Sequence, residues 1–579
     1  WNTLVSANLP KRNTSTYTSV QDNFNIDWRI IPALRLQGRF SYTRQFDRRD
    51  LFKSPESLDY STETDPKKKG SYYLVNSRSD RFDGNLTLAY NKTIDKHMLN
   101  VGVGSNIMQS ETEGESFTGV GFINPDMIFI GAANAFQENT SPQGTYDKSR
   151  LVGFFTNVNY GYGNRYFLDF SFRSDGSSKF GRNSRFAPFW SLGVAWNVHN
   201  ESFWHAHEKN ALKLRASVGS TGTTNFSSTQ ALTTYLYDFS REYNGNFGVS
   251  LAGYGNSSLK WQTTLSYNVG VDFTFLHGLV VFNGDFYIKN TRSLLLPVTV
   301  APSTGFIDYV ENIGKLRNTG VEARLRFNLI QDAVKDLRWN VTLSAFHNRS
   351  KITQLSNQLE TINQYANDDR ANQGTVVYRQ FEAGRSQTAL MVVRSGGIDP
   401  ATGNEIYIKR NGEMTFEYNH NDKIECGDMK PKIEGNVNTN LNWKGFNLYM
   451  LFKYQYGGKI YNATLASKVE GVNPLKNADK RVLYDRWKEP GDHAKFRRID
   501  DTSAPYQTTR LVFDNNLLAL QSVSLSYELP RKISQKMYME RVKLLLSSTD
   551  LFRLSSVKQE RGTSYPFART FSIGLNVTF

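Results

Sequence analysis

Cysteine is almost absent from this chain, and so are long apolar runs and catalytic signatures. The single cysteine, Cys426, excludes an intramolecular disulfide framework and leaves a structural zinc site without its usual thiolates. No run of about 18 apolar residues occurs, which together with a mean hydropathy of −0.50 excludes a transmembrane helix. The G-x-S-x-G, H-E-x-x-H, P-loop and G-x-G-x-x-G motifs are all missing. We therefore predict neither an enzyme nor a bound cofactor.

The distribution of charge argues against nucleic acid as a partner. Lys and Arg number 69 and Asp and Glu 54, but the resulting net charge of +15 is spread along the chain instead of forming a patch. Dispersed basic residues suit an anionic lipid surface or a charged lumen. His205 and His207 could be imagined as metal ligands, but they lie in a connection where a turn is the better explanation of these residues. Residues 419–428 have some similarity to a calcium loop, and we interpret them as a turn too. No metal site is predicted.

Aromatic residues and strict alternation are what the chain has in abundance. Aromatics reach 13%, although the apolar fraction is only 39%. Leu34, Leu36 and Phe40 alternate with polar neighbours, which predicts a strand with one apolar and one polar face. Such segments, about 17 of them and each about 10 to 15 residues long, start near residues 22, 34, 80, 98, 149, 166, 187, 211, 262, 279, 318, 337, 434, 446, 513, 541 and 570.

The connections between these segments predict an all-β, antiparallel up-and-down barrel that spans a membrane. Short links, such as residues 31–33 and 442–445, alternate with long ones, such as residues 47–79, 112–148 and 350–432. A soluble multi-sheet protein would also alternate, but its strands average about 5 to 6 residues. The apolar faces here are longer and end in aromatic residues, as membrane-interface girdles do. Long loops are therefore expected outside the cell and short turns in the periplasm.

Several segments together carry a family resemblance. They include RYFLDFSFRSDGSSKFG at residues 165–181 and further matches at residues 189–191, 201–203, 212–219, 259–264, 312–322, 457–462 and 486–492. In this combination the chain resembles the barrel of the SusC/RagA-type TonB-linked outer-membrane transporters. The resemblance implies a barrel of about 22 strands with an N-terminal plug, energised through TonB. It also implies a SusD-like surface lipoprotein as outer lid and a glycan or a peptide as substrate.

We interpret residues 1–579 as the C-terminal part of such a barrel. The plug, the segment that contacts TonB and the first strands of the family are not in this sequence. The first predicted strand descends from the long-loop rim, with residues 1–21 outside, and the last ends on the short-turn rim. The count of strands is then odd, whereas single-chain bacterial barrels close with an even number. We expect an N-terminal segment to supply about five strands. We also expect this chain to fold stably only beside that segment.

The last strand resembles the signal that the barrel-assembly machinery reads. Ser572, Gly574, Val577 and Phe579 supply a polar residue, a glycine and alternate apolar residues that end in an aromatic. Such a strand must present an apolar face to lipid and an open edge to its assembling partner. We predict that these four residues direct assembly in the outer membrane, among its lipid and lipopolysaccharide.

Aromatic residues in the long loops are the candidates for contact with a substrate or a lid. Flat aromatic faces stack on sugar rings and on peptide side chains, and the alternative is that they pack the loops onto one another. The candidates are Tyr237, Tyr243, Tyr365, Tyr407 and Trp487.

The predicted function is active import of a nutrient across the bacterial outer membrane. Two alternatives stay open. A passive porin-like or secretion-associated barrel would lack the plug and the segment that contacts TonB. A soluble or surface-anchored β-rich glycan-binding protein would purify without detergent.

Overall fold

A single large antiparallel sheet dominates the chain. The computed structural model describes residues 8–138, 140, 142–181, 184–205, 209–224, 231–244, 246–299, 308–312, 314–354, 382–472, 479–501, 505–557 and 569–579, with the backbone alone for residues 236–243, 246–247, 252, 295–299 and 308–310. Among these residues no helix is both long and apolar enough to cross a membrane.

Seventeen long strands form the sheet, the number predicted from the alternation. They are β1 (Lys11–Ile31), β2 (Leu34–Lys53), β3 (Ser71–Ile94), β4 (His97–Val120), β5 (Gln143–Tyr162), β6 (Tyr166–Ser177), β7 (Phe186–Asn197), β8 (Ala211–Thr223), β9 (Gln262–Phe275), β10 (Val280–Arg292), β11 (Lys315–Asp332), β12 (Leu337–Gln354), β13 (Ile433–Trp443), β14 (Phe446–Tyr456), β15 (Leu517–Glu528), β16 (Arg541–Ser555) and β17 (Thr570–Thr578). A two-residue strand, Ala135–Phe136, also pairs with the end of β4.

Every long strand pairs antiparallel with its neighbours in sequence. Among the described residues, β1 pairs only with β2 and β17 only with β16. The tight turns follow from local chemistry: Lys444 and Gly445, both with positive φ, make the two-residue link between β13 and β14. This up-and-down order puts the longest connections on one rim of the sheet, which we call the long-loop rim.

Five strands are much longer than the alternation predicted. β1 to β5 have between 20 and 24 residues each. The prediction that residues 1–21 precede the first strand was wrong, because β1 begins at Lys11. The long connections predicted over residues 47–79 and 112–148 are likewise shorter, since both flanking strands continue into them. Charged residues on both faces of these strand ends hide the alternation.

The two faces of the sheet differ in polarity. Paired residues of neighbouring antiparallel strands point to the same face, so the registers place Phe24, Phe40 and Ile107 on one face, which we call the apolar face. The residues between them along each strand, such as Asn25 and Arg39, point to the opposite side, which we call the polar face. The predicted two-faced strands are therefore present across the sheet.

The buried hydrophobic clusters of the described residues lie at the long-loop rim. One contains Phe52, Tyr72, Leu74 and Phe122, and another contains Phe180, Phe189, Leu259 and Trp261. The third lies in the loops after β12 and β14 and includes Leu390, Val392, Val469 and Leu511. The sheet between the rims has no such cluster among the described residues, because the side chains of a single sheet layer point away from it on both sides.

Candidate functional site: the polar face and the loop cap

The polar face of β8 to β10 carries a network of ionised side chains. The Arg215 guanidinium donates to both carboxylates beside it, with Nε 2.8 Å from Oδ2 of Asp272 and Nη1 3.1 Å from Oδ1 of Asp285. Asn283 Nδ2 also donates to Asp272 at 2.8 Å. Gly270 leaves room for this network, because an added Cβ would lie 2.5 Å from Asp285 Oδ1. The one arginine is therefore paired with two carboxylates, which leaves these groups with one excess negative charge.

A second network on the polar face joins β4 to β6. Arg173 Nη2 donates to Oδ1 of Asp175 and to Oδ1 of Asn106, both at 2.8 Å. Nearby, Asn159 donates to Asp169 at 2.6 Å. Arginine, carboxylate and amide groups that are already paired offer many exposed hydrogen-bonding positions without a large excess of one charge. Such a surface allows a hydrated polar solute to pass without tight binding.

A loop cap covers the long-loop rim above β12 to β15. We use this name for the described residues 382–432, 457–472, 479–501 and 505–516. Within it, the strand Ala389–Ile398 pairs with Lys423–Asp428 and with Glu405–Ile408. The strand Lys459–Tyr461 pairs with Val512–Asp514. Residues 350–432 were predicted to be one long connection, and its described part contains a small sheet of its own.

Buried ion pairs hold the two parts of the loop cap together. Arg510 reaches Glu405 and Glu470, each at 3.0 Å, and Arg497 Nε lies 2.9 Å from Glu470 Oε1. Thr508 Oγ1 donates to Glu405 at 2.6 Å. Burial works to lower the pKa of Arg510, but the two carboxylates raise that pKa above its ordinary value. The charge on Arg510 is therefore permanent, and the cap acts as one packed unit.

Sequence reasoning missed this ionic cluster entirely. Glu405 and Arg510 are separated by 105 residues, and neither lies in a recognisable motif. Only the fold brings them together, and no periodicity marks either residue as buried. Arg486, which donates to the carbonyls of Arg497 and Glu470, was seen only as part of the family resemblance. Burial lowers the pKa of Arg486, opposed by the charge of Glu470.

Two of the five candidate aromatic residues lie in described parts of the loop cap. Tyr407 is only 5% exposed and packs edge-on against Tyr418 and Tyr506, whose rings stack 4.1 Å apart. Burial and the charge of Glu405 raise the pKa of Tyr407. Trp487 is half-buried, and its indole Nε1 donates to the Pro400 carbonyl at 2.9 Å. Contact of either residue with a substrate or a lid stays a prediction.

The side chains of the other three candidates lie outside the described residues. The backbone of Tyr237 and Tyr243 belongs to the hairpin of Thr234–Tyr243 and Asn246–Gly253, and Tyr365 lies outside the described residues altogether. The assembly residues Ser572, Gly574 and Val577 lie in β17, which Phe579 follows directly. Their role in assembly stays a prediction.

Comparison with known proteins decides the family. The family model described as "TonB dependent receptor-like, beta-barrel" matches residues 2–404. The chain belongs to this family. The predicted all-β, up-and-down outer-membrane barrel is thereby confirmed, and the resemblance to the SusC/RagA-type transporters with it. In such a barrel we expect the apolar face to contact outer-membrane lipid and the polar face to line the lumen. The alternative of a soluble glycan-binding protein is wrong, because the barrels of this family lie in the outer membrane.

Individual relatives extend the likeness over the whole chain. TonB-dependent receptor P3 of Formosa agariphila is 25% identical over 100% of this chain and 59% of its own length. TonB-dependent receptor SusC of Bacteroides thetaiotaomicron is 27% identical over 55% of this chain and 32% of its own. Among solved structures, the RagAB peptide transporter matches with a TM-score of 0.86 at 21% identity, over 98% of this chain and 63% of that one. At that identity the structural likeness concerns the fold.

The chain spans about three fifths of the relatives that it matches over its full length. All of these relatives are named as receptors or transporters.

Proposed function

We propose that this chain is the larger part of an active nutrient importer, the SusC-like barrel of a SusCD-type complex that is energised through TonB. One observation carries the proposal: the polar face of a family barrel carries ion-paired arginines, Arg215 and Arg173, and its long-loop rim carries a packed loop cap. A charged but internally paired lumen suits hydrated polar solutes such as glycans or peptides. No enzymatic step is included.

The proposal includes an N-terminal segment that supplies a plug, the contact with TonB and further strands. The motivating observation is that β1 and β17, among the described residues, each pair on one side only. Unpaired backbone groups in lipid cost several kcal/mol each. Neighbouring strands on both edges would remove that cost and close the barrel.

The proposal also includes a SusD-like surface lipoprotein on the outer rim. The loop cap supports this, because it forms a folded platform with its own buried core, larger than one small ligand requires. In this arrangement the lipoprotein captures a glycan or a peptide and the cap receives it. Movement of the plug then opens the polar lumen.

Uptake in the source cells tests the proposal. Cells with the intact gene, with the gene deleted, and with the gene intact but TonB removed are given fluorescent oligosaccharide and peptide pools. We expect uptake of one pool only when both the gene and TonB are present. The matched control is leakage of a small uncharged solute, which TonB should not affect.

A passive barrel is the second candidate, since the polar face alone would also serve a porin-like or secretion-associated channel. Uptake that depends on the gene but not on TonB would favour the passive barrel and contradict active import. Preference for the oligosaccharide or the peptide pool then assigns the substrate class.

A further inference from the structure

A basic pocket lies at the ends of β12 to β16 that are opposite the long-loop rim. Its volume is about 720 Å³, within the range of about 300 to 1,000 Å³ that small-molecule sites occupy. The links at this rim include the turn of Lys444 and Gly445 between β13 and β14, and residues 529–540 between β15 and β16. In the predicted orientation this rim faces the periplasm. The basic pocket therefore lies where the lumen of an importer ends.

The registers place most of the pocket wall on the polar face. Seven strand residues of the lining share this direction, and they are Arg338, Asn442, Asn447, Ser526, Glu528, Arg541 and Lys543. None of these seven side chains is apolar. Two other lining residues, Trp443 and Phe446, flank the turn and point to the apolar face. The pocket thus opens on the lumen side and reaches the rim itself.

The basic pocket has an excess of positive charge. Its lining contains five basic side chains and two acidic ones, which leaves three positive charges uncompensated. Arg541 is paired with Glu528. Among the described residues, Arg338, Arg531 and Lys543 form no ion pair, unlike the doubly paired arginine of β8. A cleft lined by one sign of charge concentrates ligands of the opposite sign.

Amide side chains stand beside these cations. Asn442 Nδ2 donates to Asn440 Oδ1 at 2.7 Å, and Asn447 Nδ2 donates to the same oxygen at 3.1 Å. These bonds orient the amides but use only part of their capacity, because each amide has two N–H donors and an oxygen acceptor. Asn436 and Asn438 continue this line of asparagines along the polar face of β13. The cations suit carboxylate or sulfate groups, and the amides suit hydroxyl groups.

We propose that the basic pocket binds acidic oligosaccharides, those with carboxylate or sulfate groups, as they leave the lumen. The ligand class follows from the wall, whose seven polar-face residues offer no apolar contact. A peptide of mixed sequence would place apolar side chains against them, whereas an oligosaccharide presents hydroxyl groups that they can bind. The inference rests on the proposed function, since this rim is an exit only in an importer.

Binding to the purified full-length protein tests the proposal without transport. The probes are fluorescently labelled sulfated maltohexaose and the same sugar without sulfate, and fluorescence anisotropy gives both affinities. We expect the sulfated probe to bind at least about fivefold more tightly at low ionic strength, with a smaller difference at high salt. Equal affinities would overturn the proposal. Absence of binding would overturn it too, and would leave the N-terminal segment as the occupant of the pocket.

Two double variants localise the effect. Arg338→Gln combined with Lys543→Gln should lower the affinity for the sulfated probe at least about fivefold. The matched control is Lys289→Gln combined with Lys453→Gln, which removes the same charge from the polar face outside the pocket and should keep the affinity. Heat-modifiable migration shows whether both proteins are folded. An equal loss in the two double variants, or unchanged binding in the first, would contradict the pocket.

Two further measurements separate the ligand class from the transport function. An acidic peptide of alternating glutamate and leucine that bound as tightly as sulfated maltohexaose would overturn the assignment to oligosaccharides. In cells, the ratio of sulfated to unsulfated oligosaccharide uptake should fall when Arg338→Gln and Lys543→Gln are combined. An unchanged ratio with uptake that still depends on TonB would contradict the exit pocket but not the importer. Uptake that does not depend on TonB would contradict the importer and leave the binding result standing.

Discussion

Neighbouring residues of β11 should respond in opposite ways to exchange of polarity. Leu325 pairs with Phe282 and Leu343 on the apolar face, near the middle of the apolar run from Val321 to Phe327. Arg326, the next residue, points to the polar face, where its Nε donates to Asn328 at 3.0 Å. The two positions share one strand and one depth in the membrane. They differ only in the face that they occupy.

The expected magnitudes follow from these surroundings. Leu325→Arg places a charge against lipid near the midplane and should lower the free energy of unfolding by about 2 to 4 kcal/mol. Arg326→Leu removes one exposed hydrogen bond and should lower it by no more than about 1 kcal/mol. The difference of about 2 kcal/mol corresponds to about 30-fold in the ratio of folded to unfolded protein.

The free energy of unfolding of both variants is measured in the full-length protein by reversible urea unfolding in detergent micelles. Tryptophan fluorescence reports the unfolded fraction. The unfolding midpoint of Leu325→Arg should fall clearly below that of the parent, while that of Arg326→Leu should stay close to it. Equal losses in the two variants would refute the assignment of faces on which the lumen and the lipid contacts both depend.

Further predictions concern assembly, the loop cap and the partners. Val577→Asp, or deletion of Phe579, should lower the amount of folded barrel in the outer membrane, measured by heat-modifiable migration; undiminished levels would make the resemblance to an assembly signal coincidental. Glu470→Gln removes one carboxylate from the buried Arg497 and from Arg510, which keep Asp501 and Glu405 respectively, and should cost about 1 to 3 kcal/mol within the cap, which faster proteolysis of residues 389–428 would reveal while the barrel stays intact. Burial raises the pKa of the Cys426 thiol, whose Sγ lies 3.3 Å from the Leu390 carbonyl oxygen. The rate of maleimide labelling of Cys426 should therefore rise at a higher pH than the rate for an exposed cysteine introduced by Asn411→Cys. Coincident pH profiles for the two cysteines would contradict the burial of Cys426. Mild detergent extraction should co-purify a SusD-like lipoprotein, and repeated recovery of the barrel alone would favour the passive alternative. Residues 1–579 expressed alone should not give a stable, heat-resistant barrel, whereas expression together with the N-terminal segment should.

The barrel strands could be predicted because lipid and lumen impose a period of two on the sequence. That constraint acts wherever one face meets hydrocarbon, and all seventeen strands were found for this reason. It ends where the membrane ends. Arg44, Arg48 and Arg78 point to the same side as Phe40, but above the lipid nothing requires them to be apolar. The upper halves of β2 and β3 were therefore mistaken for loops.

The loop cap could not be predicted for a different reason. Its buried charges, such as Glu405 and Glu470, meet arginines far away in the sequence, and burial of an ion pair has no periodic signature. The aromatic residues were recognised as a class, but aromatic character alone does not separate a packed ring such as Tyr407 from an accessible one. Only the tertiary contacts of each ring can do so.

Because the strands differ in length, the two sides of the long-loop rim differ in stiffness. On the side of β1 to β5 the rim is a continuation of the membrane-anchored ladders, so bending it would break many hydrogen bonds at once. On the side of β13 and β14, strands of 11 residues end near the membrane, and the cap above them is a separately packed body with its own core. We therefore expect backbone amide hydrogen exchange to be slower in the long ladders of β1 to β5 than in the cap.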